Sequence, residues 1–495
     1  MPIFGGNIMN QVENRMKRRI LPTVSLSPVP SNRASALRGR RATAWLTRAV
    51  RVLVLAAVAT LGSFPTGSGA AQPHRQGPAY RLFCDFSKYL DMTRAHAGEI
   101  SRVADSVADL FITNGVLYVA PNQDSFLFEQ WGRASGLGKA TKWEPVVKPG
   151  VKMLGQTDLL LLALEPTTDY PGDGDDWLRK AYASPARIIL FSSPEDPAAV
   201  AKTGTECFAV TDFAGFIDNQ THRQPFTFIA AEEEPPRQVY LCGMMNMLNG
   251  LLFQGELAAA CTRRGRMPVF WLSFAIDAPK GYPRAARLSR SIAPGNRWGE
   301  PVSFHSDLTV PAVRPGYVAA QYLKAMESYT ALLKGRLWSE MDRIVQQTIA
   351  TLRAGHKVYF LGIGHAFPYE APRKEWNDVF VMLGPEYSGH MRPFTKNAGA
   401  GDMLFLLGMP TYPKREVEDA LAKGMSVIVM CTEDPHLTPA QAEQVHWIRA
   451  PWPIEDGVVR IPGYDIPILP VTGVMNTLIY YAVRSEVQSR MGHGK

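Results

Sequence analysis

Metal and redox spacings are missing from this chain. Its five cysteines (Cys84, Cys207, Cys242, Cys261 and Cys431) form no CxxC pair, and its ten histidines form no HExxH. An odd count excludes complete internal pairing and a disulfide-built miniature domain, so buried free thiols with at most one bridge are expected. No cofactor is implied. A charge excess is missing as well from most of the chain. Ten basic groups in residues 1–71 face only Glu13, so of the net +8 this stretch holds +9 and the other 424 residues carry −1. A near-neutral body gives a polyanion nothing to bind, which excludes a nucleic-acid partner.

Long apolar runs are also absent. The most apolar stretch, "VLVLAAVATLGSF" (52–64), follows the basic segment ending at Arg51 and precedes "TGSGAAQ". It is too short to span a bilayer comfortably, and its flanks fit a signal peptide cleaved near Ala70 or Ala71. Export to a periplasm or medium is therefore expected, with Met16 as an alternative start. Arg40-Arg41 fits a twin-arginine signal loosely, and no membrane span is expected in the mature chain.

What is present is a duplication. "LFITNGVLYVAPNQDSF" (110–126) lines up with "LRAGHKVYFLGIGHAF" (352–367). "TDLLLLALEPTTDY" (157–170) lines up with "GDMLFLLGMPTYP" (401–413), and both continue through a helix and a strand to Glu-Asp-Pro. "GMMNMLNGLLFQGE" (243–256) matches "GVMNTLIYYAVRSE" (473–486) at a constant offset of 230. Three blocks in one order indicate a module used twice. The runs "VLYVA", "DLLLLAL", "ARIILF" and their copies are continuously apolar, as parallel strands covered on both faces require. "KREVEDALAKG" reads as a short amphipathic helix, with Pro413 near its start and Gly424 at its end. Long helices over 94–111 and 319–355 precede each first strand. The expected fold is α/β, two tandem doubly wound parallel-sheet modules of flavodoxin-like type. Its divisions are a leader (1–71), a first module (72–264), a linker (265–315) and a second module (316–495). The linker, rich in Pro, Gly and Arg, is expected to run over the surface.

This order of elements resembles the sugar isomerase (SIS) domain family in its tandem form, as in the isomerase half of glucosamine-6-phosphate synthase. The resemblance covers roughly 93–262 and 316–491, and implies a carbohydrate or carbohydrate derivative held on loops at the carboxyl ends of parallel strands. The family's loops look like G-x-G-S/T-S and S-x-S-G-x-T, and this chain departs from both. "GIGHAF" keeps Gly362 and Gly364 but places His365 and Ala366 where hydroxyls are expected, and "GMPTYP" keeps Thr411. In the first copy "APNQDSF" offers Asn122, Asp124 and Ser125, and "EPTTDYPGDGDD" offers Thr167 among many carboxylates. Carboxylates repel phosphate, so the hydroxyls of an unphosphorylated sugar suit these loops better.

The resemblance also implies a glutamate base on the helix after the first module's last strand, for which Glu256 is the match and Glu486 its copy. A partly buried carboxylate could move a proton between C1 and C2. Alternatively, Asn246 and Glu256 brace a packed helix in both modules. His365 either relays a proton or bonds nearby backbone. Arg263, beside Arg264 and Arg266, either meets an anionic sugar or complements a helix end. Three functions stay open: an aldose–ketose isomerase, a non-catalytic sugar-binding or sensing protein, and a structural pseudo-dimer. The ligand is a small-molecule carbohydrate in the first two, and homo-oligomerisation is left open.

Overall fold

The computed structural model describes residues 77–120, 124–143, 154–164, 180–194, 213–221, 239–273, 303–362, 379–383, 397–408 and 411–492. All lie in one compact unit, Gln76–Lys495. The leader and its expected signal peptide fall outside the described residues.

The apolar runs form two sheets of five parallel strands each. The first contains β1 (Leu117–Val119), β2 (Ala140–Lys142), β3 (Leu159–Ala163), β4 (Arg187–Ser192) and β5 (Gly215–Asp218) in the order β2-β1-β3-β4-β5. The second contains β6 (Val358–Gly362), β7 (Val381–Leu383), β8 (Met403–Leu407), β9 (Ser426–Cys431) and β10 (Val445–Arg449) in the order β7-β6-β8-β9-β10. Both orders are the same doubly wound arrangement, and every pairing in them is parallel. The central strands β3, β6 and β8 are buried at every residue, which is why they read as unbroken apolar runs. An antiparallel hairpin, β11 (Gly457–Val459) with β12 (Ile468–Pro470), follows the second sheet.

The expected α/β class and tandem arrangement are borne out, while the helices differ in detail. The first long helix, α1, runs Pro78–Asn114, well beyond its apolar signature, and ends at Gly115 in the left-handed region. A short α2 (Asp124–Gln130) follows β1, and α3 (Val239–Arg263) closes the first module. The second long segment is two helices, α4 (Tyr317–Lys334) and α5 (Trp338–Arg353), broken at Gly335. Glycine leaves the helix at little cost, and Trp338, 4% exposed, anchors the restart in the core. After β8 come α6 (Lys414–Ala422), opening after Pro413 with Gly424 at φ +72° beyond its end, and α7 (Pro439–Ala442). The chain closes on α8 (Thr472–Met491).

Helices α3 and α8 are buried all round, so neither shows one apolar face. They pack into one hydrophobic cluster shared by both modules, including Phe83, Leu248, Leu251, Tyr322, Met326 and Leu478. The linker's described part corrects the surface expectation. Met267, Val269, Phe270 and Trp271 are buried, and isolated antiparallel bridges join Leu137 to Phe270 and Pro268 to Phe304. The apolar run "MPVFWL" outweighs the surrounding Pro, Gly and Arg, because burying it removes large side chains from water.

Candidate functional site

Open parallel sheets offer ligands a crevice where the strand order reverses, outside the carboxyl ends of the strands. Here that point lies between β1 and β3, and between β6 and β8. In the first module the ends are Val119 and Ala163, and in the second Gly362 and Leu407, which pair with each other. Gly362 therefore lies at the second switch point, and Thr411 follows in the loop after β8. Tyr412 is held against the segment after β9 by its N–H donating to Glu433 Oε2 at 2.7 Å. Asn122, Thr167, Gly364 and His365 lie outside the described residues, as does the side chain of Asp124. Ser125 stands in the first turn of α2, just beyond β1. It is 2% exposed, and among the described residues its Oγ has no hydrogen-bond partner. Phe126 beside it packs on Phe191 of β4, with ring centroids 5.1 Å apart.

The repeated glutamates are placed elsewhere. Glu256 is fully buried, and its Oε1 accepts from Ala319 N at 2.9 Å. Its Oε2 accepts from Ser101 Oγ and Gly316 N, both at 2.8 Å. Gly316 and Ala319 belong to the start of α4, whose first N–H groups have no partner within the helix. A carboxylate there satisfies the donors and complements the positive end of the helix dipole. Glu486 does the same in reverse, accepting from Ala79 N at the start of α1 (3.1 Å) and from Arg490 Nε (2.8 Å). The last helix of each module thus caps the long helix that opens the other. A sugar carbon cannot approach Glu256 without breaking these bonds, which corrects its nomination as a base open to substrate.

Asn246 and Asn476 also repeat in role. Asn246 Nδ2 donates to Leu164 O (2.9 Å) and Asn476 Nδ2 to Gly408 O (3.2 Å), pinning the residue just past β3 or β8 to the closing helix. Asp158 and Asp402 each accept from a glycine N–H three residues before, Gly155 at 2.7 Å and Gly399 at 2.9 Å. Arg263 is likewise spent on structure. It pairs with Asp105 at 2.7 Å and donates to Val313 O at 2.7 Å. Arg264 joins Asp105 and Asp109, and together the two guanidiniums hold the Asp105 carboxyl below its usual range. The nomination of Arg263 as an anion contact is corrected accordingly.

A charged cluster that the sequence did not reveal lies at the junction of the modules. Arg133, 2% exposed, faces Glu129 of α2 at 2.8 Å and Asp456, before β11, at 3.0 Å. It also donates to Thr472 Oγ1. Asp456 Oδ1 accepts from Val471 N (3.1 Å) and Thr472 N (2.9 Å), which caps α8. Glu129 is more awkwardly held: although Arg133 is adjacent, neither carboxyl oxygen has an aligned hydrogen-bond donor among the described residues. Burial pushes this carboxyl up to about 8, against the pull of Arg133 and with a further push from Asp456. Glu129 abuts Gly473, where any Cβ would collide with its carboxyl group. Ser135 (φ 61°), Asp456 (φ 66°) and Leu469 (φ 61°) all adopt left-handed backbone around this junction. Leu469 N donates to Ser135 O at 2.8 Å, and Ser135 Oγ donates to Glu455 O at 3.0 Å. Strain held by so many contacts marks a junction with one permitted geometry.

Neither a family model nor a curated protein matches the chain. Solved structures do match it across most of its length. The C-terminal domain of glucosamine-fructose-6-phosphate aminotransferase from Francisella tularensis is 11% identical, with 86% of this chain and 98% of that one covered and a TM-score of 0.43. Tagatose-6-phosphate ketose/aldose isomerase from Escherichia coli is 9% identical, with 86% and 95% covered and a TM-score of 0.42. Glucosamine-6-phosphate deaminase from Thermotoga maritima is 12% identical, with 80% and 94% covered and a TM-score of 0.32. The chain is similar to these proteins in fold, and its parallel tandem sheets are established by its own strand pairings.

Proposed function

We propose that the chain is a carbohydrate-binding protein whose ligand sits at the carboxyl ends of the parallel strands, at the switch point of the first sheet. The observation that carries this reading is Ser125, a buried hydroxyl without a partner among the described residues, placed just past β1. A buried polar atom left unpaired is costly, and a ligand hydroxyl would satisfy it. Asn122, Gln123 and Asp124 precede it in sequence and offer both donors and acceptors to a polyol. Binding is favoured over aldose–ketose isomerisation because both repeated glutamates are occupied as helix caps. A thermal-shift screen of neutral sugars and sugar phosphates should raise the melting temperature for at least one member, and Ser125→Ala should reduce that shift. A flat screen would overturn the reading. Export belongs to the same proposal: the mature chain should begin near Ala71 or Gln72, as terminal sequencing of protein from the native host would reveal.

A further inference from the structure

We propose a second binding site, for a small organic anion carrying at least two negative charges, on the outer edge of the second sheet. A cavity of about 690 Å³ opens there between α4, the residue after β9, the end of β10 and the start of β11. It lies at the carboxyl ends of β9 and β10, while the switch point of that sheet lies between β6 and β8. The site is independent of the carbohydrate reading and is built from different strands.

Its lining is cationic. Arg336 after α4, Arg449 at the end of β10 and Arg460 after β11 all border the cavity, with Glu455 the only carboxylate among its described lining residues. Glu455 faces Arg460 at 3.5 Å. Among the described residues, Arg336 and Arg449 have no carboxylate within ion-pair reach. Guanidinium groups present forked donors that match carboxylate or phosphoryl oxygens two at a time. The net excess of two positive charges sets the minimum charge of the ligand.

The remaining walls fix size and character. Tyr329 and Trp452 meet edge to face at 6.2 Å, and Leu332, Pro451 and Pro453 complete an apolar side. Burial raises the Tyr329 hydroxyl, which stays protonated and able to donate near neutral pH. Pockets of this volume take molecules well beyond a bare inorganic ion, and few polar groups on apolar walls suit an organic body.

Calorimetric titration of the full chain with citrate, inorganic phosphate and glucose tests the proposal. Citrate should bind measurably and phosphate more weakly, while glucose gives no heat at this site. The pair Arg336→Gln with Arg449→Gln should weaken citrate by at least about tenfold, as expected when two charged hydrogen-bonding groups are lost. A charge-matched control, Lys357→Gln with Lys423→Gln, should leave citrate affinity within about twofold. Absence of citrate binding would overturn the site, and so would equal weakening in the control pair, which would mark non-specific attraction. Unchanged melting temperatures of the variants in buffer establish that the loss lies in binding.

Discussion

The two modules share a sheet order and a set of hydrogen bonds but differ in what surrounds them. Asn246 and Asn476 hold equivalent strand ends, Asp158 and Asp402 fold equivalent turns, and Glu256 and Glu486 cap each other's opening helix. Among the described residues, the features found once are the hairpin β11–β12, the break at Gly335, and the cluster of Glu129, Arg133 and Asp456. Residues retained in both copies are thus those that tie helix to sheet. Chemistry is better sought among residues present once, because a single ligand site gains nothing from a second copy of its parts.

The comparison can be broken most sharply at the caps. Glu256→Ala leaves two helix N–H groups and the Ser101 hydroxyl unpaired in a sealed core, and should destabilise by about 3–5 kcal/mol in urea unfolding. Glu486→Ala removes the acceptor of one helix N–H and one partner of Arg490, which keeps Asp342 at 2.7 Å, so about 1–2 kcal/mol is expected. Equal losses would mean that the two caps are not graded by the number of hydrogen bonds each carboxylate accepts. The next largest effect is at the junction. Gly473→Ala drives a methyl group into Glu129 and should cost about 2–3 kcal/mol, with part of the loss restored in a Glu129→Ala background.

The junction also carries a pH signature. A carboxyl raised to about 8 holds its proton in the fold where the unfolded chain has lost it. Its contribution is complete below the unfolded value of about 4.3 and declines as pH rises toward 8. Glu129→Gln mimics the protonated form and should flatten that part of the stability–pH curve. An unchanged slope would place the titration elsewhere. The smallest effects sharpen the comparison of the modules: Asn476→Ala should cost about 1 kcal/mol, and Asn246→Ala, which also loses the bond from Asn219 Nδ2 at 3.1 Å, about 1–2 kcal/mol by chemical denaturation.

Strands were legible because a parallel strand covered on both faces must be apolar throughout, as "DLLLLAL" and "DMLFLL" are. The duplicated Gly-x-Met-Asn…Glu block was legible as a repeat, but its purpose was not. Glu256 acts on Ala319 and Glu486 on Ala79, across 63 and 407 residues of chain. No local pattern distinguishes such a cap from a base. The linker was misread because Pro and Gly were given more weight than the apolar residues between them. Ser125 and Gly362 stand close to strand ends because the apolar periodicity placed those strands well.

By itself the sequence determined the α/β class, the tandem order and the strands, because these follow from local apolar periodicity and from self-similarity. Tertiary structure alone decided which charges meet. Arg133 and Asp456 are 323 residues apart and share one buried site, while Arg336 and Arg449 border one cavity. Burial and pairing are properties of three-dimensional neighbours, and they set what a carboxylate or a guanidinium can do.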